Sequence, residues 1–245
     1  MIDTHAHIYN EYYNIDNLVK DLVSNGVKKV INNSTNNEDA KEVIELSKKY
    51  NNFLLPAVGI HPEFANDYNL EELELIIKSN KVYAVGEIGL DYYWVKDNKE
   101  EQKKLFVSQI KLANKYNLPI IVHTRDSIQD CLDIIKKNRC RGVIHCFSGS
   151  YEMAKEFIKC GFKLGIGGVL TFKNSKLYQL IEKIDLKDIV LETDSPYLTP
   201  EPNRGKQNNP SNVYFVAKRI SEIKNISVEK IIDQTSKNAC EIFDI

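Results

Sequence analysis

The sequence predicts an α/β protein of the (β/α)8 type, a TIM-like barrel that fills one domain over residues 1–245. Short runs rich in β-branched residues alternate about eight times with amphipathic stretches of helical period. A chain of 245 residues has the usual size of such a barrel. No tract rich in Gly, Ser or Pro and no block of like charges marks a domain boundary. An open doubly wound sheet has the same alternation, so counting elements leaves it as an alternative.

Eight segments have the length and composition of buried strands. In chain order they are residues 1–7, 27–31, 53–58, 82–86, 119–123, 142–146, 162–166 and 189–194. The segments between them place apolar residues on one face of a helix, as Leu18 and Leu22 do in the first. The predicted helices are residues 16–24, 38–50, 70–78, 100–116, 127–136, 151–159, 175–184, 212–223 and 228–243.

The charge of the chain is almost balanced, with 33 Lys and Arg against 34 Asp and Glu. A protein that coats nucleic acid electrostatically carries a basic excess, so a polyanionic substrate would have to be held locally, at a site. No apolar run approaches the roughly 20 residues that cross a bilayer, and no signal-peptide core precedes residue 25. The 5 cysteines form no C-x-x-C pair. We expect a cytoplasmic protein with reduced thiols, no membrane contact and no obligatory protein partner.

Six imidazole and carboxylate side chains fall at or just beyond the ends of five predicted strands. They are His5, His7, Glu87, His123, His145 and Asp194. Barrel enzymes place their active sites where the strands end, so these side chains are expected to converge. A single histidine at a strand end is usually a core residue with its polar tip satisfied, but six such groups are not explained in that way. Nitrogen and carboxylate oxygen donors suit Zn²⁺, Mn²⁺, Fe²⁺ or Mg²⁺, and the set therefore predicts a divalent-metal site.

Several segments around these residues resemble those of a known family. MIDTHAH, GIHP, VGEIGLDYY, HTRDS, HCFSG and LETDSPYL are similar in order and spacing to the TatD family of metal-dependent deoxyribonucleases, which are amidohydrolase-like barrels. The resemblance runs from residue 2 to residue 210 and so covers essentially the whole chain. It implies a (β/α)8 fold and a divalent-metal site. It also implies cleavage of phosphodiester bonds in DNA, by 3′→5′ exonuclease action on single-stranded ends.

The resemblance also assigns roles to the six side chains, with two divalent ions (Zn, Mg or Mn) as cofactors. The first ion is held by His5, His7 and Asp194, the second by His123 and His145, and Glu87 bridges the two. Two cations can clamp the attacking and leaving oxygens and supply hydroxide at neutral pH. Asp194 can also orient the attacking water and accept its proton, which makes Asp194 and Glu87 the predicted catalytic residues. The sequence Asp-Ser-Pro at residues 194–196 is equally typical of a helix N-cap.

Three further residues are candidates for substrate binding. Arg125 and Arg204 can each offer a two-pronged hydrogen-bond donor to a phosphate, although a solvated surface arginine explains either one equally well. His61, in GIHP, is either a phosphate contact, a residue that supports the ligands, or a structural loop histidine. The aromatic residues 92–94 can stack unpaired bases or form an ordinary hydrophobic lid.

Two other functions stay open at the level of sequence, because fold and ligands admit several substrates. The first is a hydrolase that uses the same metal site on an amide, a lactone or an aminoacyl ester. The second is a metal-stabilised binding protein without turnover, and the complete ligand set argues against it.

Overall fold

The computed structural model describes residues 1–94 and 96–245, and within them eight parallel strands follow one another around a single sheet in chain order. The strands are β1 (Ile2–Ala6), β2 (Lys29–Asn33), β3 (Leu54–Val58), β4 (Ala84–Asp91), β5 (Ile120–Arg125), β6 (Gly142–Ile144), β7 (Phe162–Ile166) and β8 (Ile189–Leu191). Each strand pairs in parallel with the next one.

Nine α-helices occur in the part of the chain that the structure describes, one after each strand and a ninth at the end. They are α1 (Ile15–Ser24), α2 (Asn37–Lys49), α3 (Leu70–Ser79), α4 (Lys99–Lys115), α5 (Ile128–Asn138), α6 (Tyr151–Lys159), α7 (Leu177–Lys183), α8 (Val213–Lys224) and α9 (Val228–Phe243). None of the helices in the described ranges combines the length and apolar character needed to cross a membrane.

Contacts just beyond the ends of β1 and β8 close the sheet into a barrel. The N–H of His7 donates to the carbonyl of Ser195 at 2.7 Å, and Ala6 forms a parallel bridge with Ser195. The N–H of Asp194 donates to the carbonyl of His5 at 2.9 Å. In a doubly wound sheet, the strand order reverses at a switch point. Here the strands follow one another in chain order, and the segment after the last strand pairs with the first. The predicted barrel is therefore confirmed and the doubly wound alternative is wrong.

The fourth strand is the element whose predicted bounds differ most from the structure. Residues 82–86 are the predicted strand, but β4 runs to Asp91 and pairs with β5 on both sides of a register shift between Val85 and Ile88. Glu87 therefore lies inside β4 and not at its end. The prediction that Glu87 ends the fourth strand is therefore wrong, because pairing with β5 continues to Asp91.

The apolar residues occupy two layers, one between strands and helices and one inside the barrel. The interior layer includes Ile31, Leu55 and Val143, and the last residues of α9, Ile242 and Phe243, pack into it. These residues fill the barrel from the end where the strands begin. The polar interior groups are thereby confined to the end where the strands finish.

Candidate metal centre and active site

The carboxylate of Glu87 lies in the middle of a pocket at the C-terminal end of the barrel. Its Oε2 lies 3.4 Å from Nε2 of His5 and 3.3 Å from Nε2 of His7. Its Oε1 lies 2.8 Å from Nδ1 of His123 and 3.6 Å from Nε2 of His145. The two oxygens of one buried carboxylate thus face two different pairs of imidazoles.

Asp194 enters the same pocket from the segment after β8. Its Oδ1 lies 3.6 Å from Nε2 of His5 and 3.7 Å from Nε2 of His7. Nε2 of His145 lies 3.9 Å from the same oxygen. Burial raises the pKa of Asp194 to about 6, against the opposing charges of His145 and His7. No helix of the described residues begins at Asp194, so the N-cap interpretation is wrong.

His5 lies on β1, and His7 lies just after it. Their Nε2 atoms are 3.1 Å apart. Nδ1 of His7 lies 3.2 Å from the carbonyl oxygen of Asn33. A carbonyl oxygen can only accept, so Nδ1 of His7 carries a proton. Nε2 is therefore the nitrogen with which His7 can bind a metal, after loss of any proton it holds.

His123, near the end of β5, is held from behind by Asp91. Oδ2 of Asp91 lies 3.0 Å from Nε2 of His123, and its Oδ1 accepts the N–H groups of Tyr93 and Trp94 at 2.8 and 2.9 Å. Burial lowers the pKa of His123, but the hydrogen bonds to Asp91 and Glu87 outweigh burial and raise it to about 9. Asp91 therefore leaves Nδ1 of His123 directed at the pocket.

His145, just beyond β6, has a similar partner in Glu192. Oε1 of the fully buried Glu192 lies 3.0 Å from Nδ1 of His145 and accepts the N–H of Cys146 at 2.7 Å. Burial lowers the pKa of His145, but Glu192, Glu87 and Asp194 together raise it to about 10. Neither Glu192 nor Asp91 is among the site residues that the sequence predicts. For Glu192, the signal was its place two residues before Asp194.

The pocket has the donor atoms and the charge that divalent metal ions require. Among the described residues, four groups have ligand atoms within 4.8 Å of one another, namely His5 with Glu87 and His145, His5 with His7 and Asp194, His61 with Glu87 and His123, and His145 with Cys146 and Glu192. The carboxylates raise the pKa of neighbouring imidazoles, which means that the pocket stabilises positive charge. A nitrogen and oxygen donor set that stabilises positive charge fits divalent ions such as Zn²⁺ or Mn²⁺.

Of the three predicted substrate contacts, His61 lies deepest. Its Nε2 lies 4.0 Å from Oε1 of Glu87, while its Nδ1 accepts the N–H of Glu63 at 3.3 Å. Arg125 is exposed at the end of β5, with its guanidinium carbon 4.0 Å from the centroid of the Tyr93 ring.

Arg204, in the loop between β8 and α8, lies with its guanidinium carbon 3.9 Å from the centroid of the Phe172 ring. Its Nη1 donates to the carbonyl of Thr199 at 3.3 Å. The structure therefore places the guanidinium of each arginine over an aromatic ring, His61 beside Glu87, and the six predicted ligands together.

Comparisons with known proteins identify the family of the chain. A family model described as TatD related DNase matches residues 2–244. The uncharacterized metal-dependent hydrolase YabD of Bacillus subtilis is 39% identical over 100% of this chain and 99% of its own length. The human deoxyribonuclease TATDN3 is 28% identical over 99% of this chain and 94% of its own.

A crystal structure of YJJV, a TatD homolog from Escherichia coli K12, superimposes on the chain with a TM-score of 0.93 and 31% identity, covering 100% of this chain and 98% of that one. A TatD family hydrolase from Entamoeba histolytica superimposes with a TM-score of 0.88 and 28% identity, covering 99% and 97%. Sequence, fold and family model agree from one end of the chain to the other. The chain therefore belongs to the TatD family and is a metal-dependent hydrolase.

Proposed function

We propose that the chain hydrolyses phosphodiester bonds in DNA as a 3′→5′ exonuclease that removes nucleotides from single-stranded ends. The observation that carries this proposal is that the two oxygens of Glu87 face two separate pairs of imidazoles. Two ions roughly 3.5–4 Å apart form the arrangement that stabilises both the attacking and the leaving oxygen of a phosphodiester. The name of the human relative, a deoxyribonuclease, supports DNA as the substrate.

In this proposal each of the six side chains has a defined role. His5, His7 and Asp194 would hold a first ion, His123 and His145 would hold a second, and Glu87 would be shared by both. When bound, such ions neutralise charge on the phosphate and lower the pKa of water from 15.7 toward about 7. Asp194 is partly exposed at the mouth of the pocket, where its carboxylate can orient the attacking water and accept its proton.

Arg125, Arg204 and His61 bind the phosphates of the strand in the proposed complex. Each guanidinium lies over an aromatic ring and keeps N–H groups that can bind a phosphate, although Nη1 of Arg204 already donates to the carbonyl of Thr199. Nε2 of His61 lies within the pocket, close to Glu87, and we assign it to the phosphate that is cut.

The proposal is tested by incubating the metal-loaded protein with end-labelled single- and double-stranded DNA and RNA, with a chelator control. We expect single nucleotides to be released from the 3′ end of single-stranded DNA, and the chelator to abolish their release. If no phosphodiester is cut while an amide, a lactone or an aminoacyl ester is turned over in a metal-dependent way, the chain is a different hydrolase of this family.

The substitution Glu87→Gln tests the bridging role within the same assay. It keeps the size of the side chain but removes the charge shared by both pairs of imidazoles, so we expect the rate to fall by about 1000-fold or more. Glu222→Gln, on the surface of α8 beside Arg219, is the matched control and should cleave DNA at the normal rate. Normal cleavage by a folded Glu87→Gln protein would contradict the role of Glu87.

A further inference from the structure

Large aromatic side chains are exposed at the same end of the barrel as the pocket. They are Phe64 and Tyr68 after β3, Tyr93 and Trp94 after β4, and Tyr197 after β8. Trp94 is the only tryptophan of the chain, and 62% of its surface is exposed. Exposed aromatic surface beside an active site indicates a binding surface for another molecule.

Tyr93 and Trp94 share one cation, the guanidinium of Arg125. The guanidinium carbon lies 4.0 Å from the ring centroid of Tyr93 and 5.2 Å from that of Trp94. The two rings meet edge to face, with their centroids 4.9 Å apart. We call these three residues the Trp94 cluster. Each ring contacts the other ring and the guanidinium, and such contacts reduce the entropy lost when a ligand stacks on it.

The Trp94 cluster is attached to the metal-binding pocket through Asp91. One oxygen of Asp91 accepts the N–H groups of Tyr93 and Trp94, and the other lies 3.0 Å from Nε2 of His123. Arg125 lies two residues after His123 on β5. The cluster therefore lies directly beside the pocket.

Tyr92 is excluded from this surface, although it precedes Tyr93 directly. Its side chain is buried, and its hydroxyl donates to Oδ2 of Asp130 at 2.8 Å. Of the three aromatic residues that the sequence offers, the hydrophobic-lid interpretation therefore suits Tyr92 alone.

We propose that the Trp94 cluster is a nucleobase subsite, in which an unpaired base stacks on Trp94 while Arg125 binds the phosphate next to it. The proposal rests on the proposed function, because it requires the nucleic acid strand to enter the pocket. An exposed aromatic ring beside a guanidinium is complementary to a nucleotide, in which a planar base is joined to an anionic phosphate. A base inside a duplex is already stacked on both sides, so the subsite favours single strands over blunt duplexes.

The unique Trp94 allows this subsite to be tested by fluorescence. The protein is titrated, in the presence of a chelator that prevents cleavage, with an oligothymidylate of about eight nucleotides and with an abasic oligomer of the same length. We expect the oligothymidylate to quench the emission of Trp94 and to bind about tenfold more tightly than the abasic oligomer. Equal binding of the two oligomers would overturn the proposal.

Substitutions distinguish the contribution of base stacking to affinity from that of phosphate binding. Binding is measured by the fluorescence anisotropy of a labelled oligomer. Trp94→Ala should weaken binding of the oligothymidylate about tenfold and leave the abasic oligomer unaffected, and Trp94→Phe should restore most of the loss. Arg125→Ala should weaken both oligomers equally. Tyr178→Ala, which removes an exposed aromatic ring on α7, is the matched control.

Cleavage assays distinguish failure of the subsite from failure of the proposed function. With metal present, Trp94→Ala should raise KM for single-stranded DNA about tenfold and change kcat little. If DNA is cut by the wild-type protein and Trp94→Ala has the same KM, the subsite is wrong and the proposed function stands. If the wild-type protein cuts no DNA, the proposed function is wrong.

Discussion

Glu192 contacts the nitrogen of His145 that faces away from Glu87. Its Oε1 lies 3.0 Å from Nδ1 of His145, although the N–H of the ring does not point along that line. Its Oε2 has no hydrogen-bond partner among the described residues. A carboxylate in this position orients an imidazole and increases the basicity of its other nitrogen. We therefore propose Glu192 as a positioning residue for His145.

Gly165 provides a test of this role, because its lack of a side chain makes room for Glu192. A Cβ at residue 165 would lie 2.2 Å from Oε2 of Glu192, so Gly165→Ala must displace the carboxylate. We expect the affinity for Zn²⁺, measured by competition with a chelating dye, to fall about 10- to 100-fold. Gly167→Ala is the matched control, since its Cβ would lie 3.5 Å from Glu192.

A second variant tests the same role if Gly165→Ala does not fold. Glu192→Gln preserves the volume of the side chain and should lower the affinity for Zn²⁺ in the same range. Unchanged affinity in folded protein carrying Glu192→Gln would contradict the positioning role.

Single residues differ in how well the sequence reveals them. The spacing of His5 and His7 is enough to place them on one face, because successive side chains of a strand alternate. Asp91 and Glu192 act through a histidine, and only the folded barrel shows which histidine each of them contacts. The stacking of Arg125 on Tyr93 was not predictable either, because it depends on the shape of the loop after β4.

At the scale of elements, Gly89 allows β4 to continue beyond the end that the sequence pattern predicts. Gly89 has φ +144°, and a Cβ there would lie 2.1 Å from the carbonyl oxygen of His123 on β5. Only a glycine can pair so closely, so Gly89 extends β4 where the sequence pattern predicts its end. Glu87 is held between two paired segments as a result, which suits a side chain that two pairs of imidazoles share.

The junction of β1 with the segment after β8 depends on a buried hydrogen-bond network. Oγ1 of Thr193 donates to Oδ2 of Asp3 at 2.6 Å, and Oδ1 of Asp3 accepts the N–H groups of Thr193 and His5 at 3.1 Å each. The network joins the neighbours of His5 and Asp194, and it therefore aligns two of the predicted ligands.

Thr193→Val tests the network through stability. It leaves the buried Asp3 without one donor, so we expect the free energy of unfolding, measured in urea, to fall by about 1–3 kcal/mol. Thr235→Val is the matched control, because the hydroxyl of Thr235 donates to the Ile231 carbonyl within α9 and its loss should change stability by less than about 0.5 kcal/mol. Equal losses in the two variants would contradict a special role of the network.

At the scale of the whole molecule, a nearly neutral chain carries two arginines near the candidate metal-binding pocket. The chain has a net charge of -1, while the pocket and its rim collect the predicted ligands and two stacked arginines. Such a molecule should hold DNA through a few phosphates and not along a basic surface.

The salt dependence of DNA binding measures how many phosphates are contacted. Each phosphate neutralised on a single strand contributes about 0.7 to the slope of log affinity against log salt. With Arg125 and Arg204 as the main contacts we expect a slope of about −1 to −2. A slope steeper than about −5 would show that many more cations of the protein bind the strand.

The fold was the most predictable feature, because eight alternations of strand and helix in one chain of this length have few solutions. The closure through Ala6 and Ser195 and the packing of Phe243 into the barrel involve residues far apart in the chain, so no local pattern indicates them. The contact of Glu192 with His145 also joins distant segments, whereas Asp194 is predicted through the resemblance of its segment to the family.

The central claim, that the pocket holds two divalent ions bridged by Glu87, is tested most directly by counting ions. The protein is loaded with Zn²⁺, freed of excess metal by gel filtration and analysed for metal content beside the Glu87→Gln variant. We predict about two ions per wild-type chain and one or fewer in the variant. A wild-type protein that retains no ion, or a variant that retains as many as the wild type, would contradict the account.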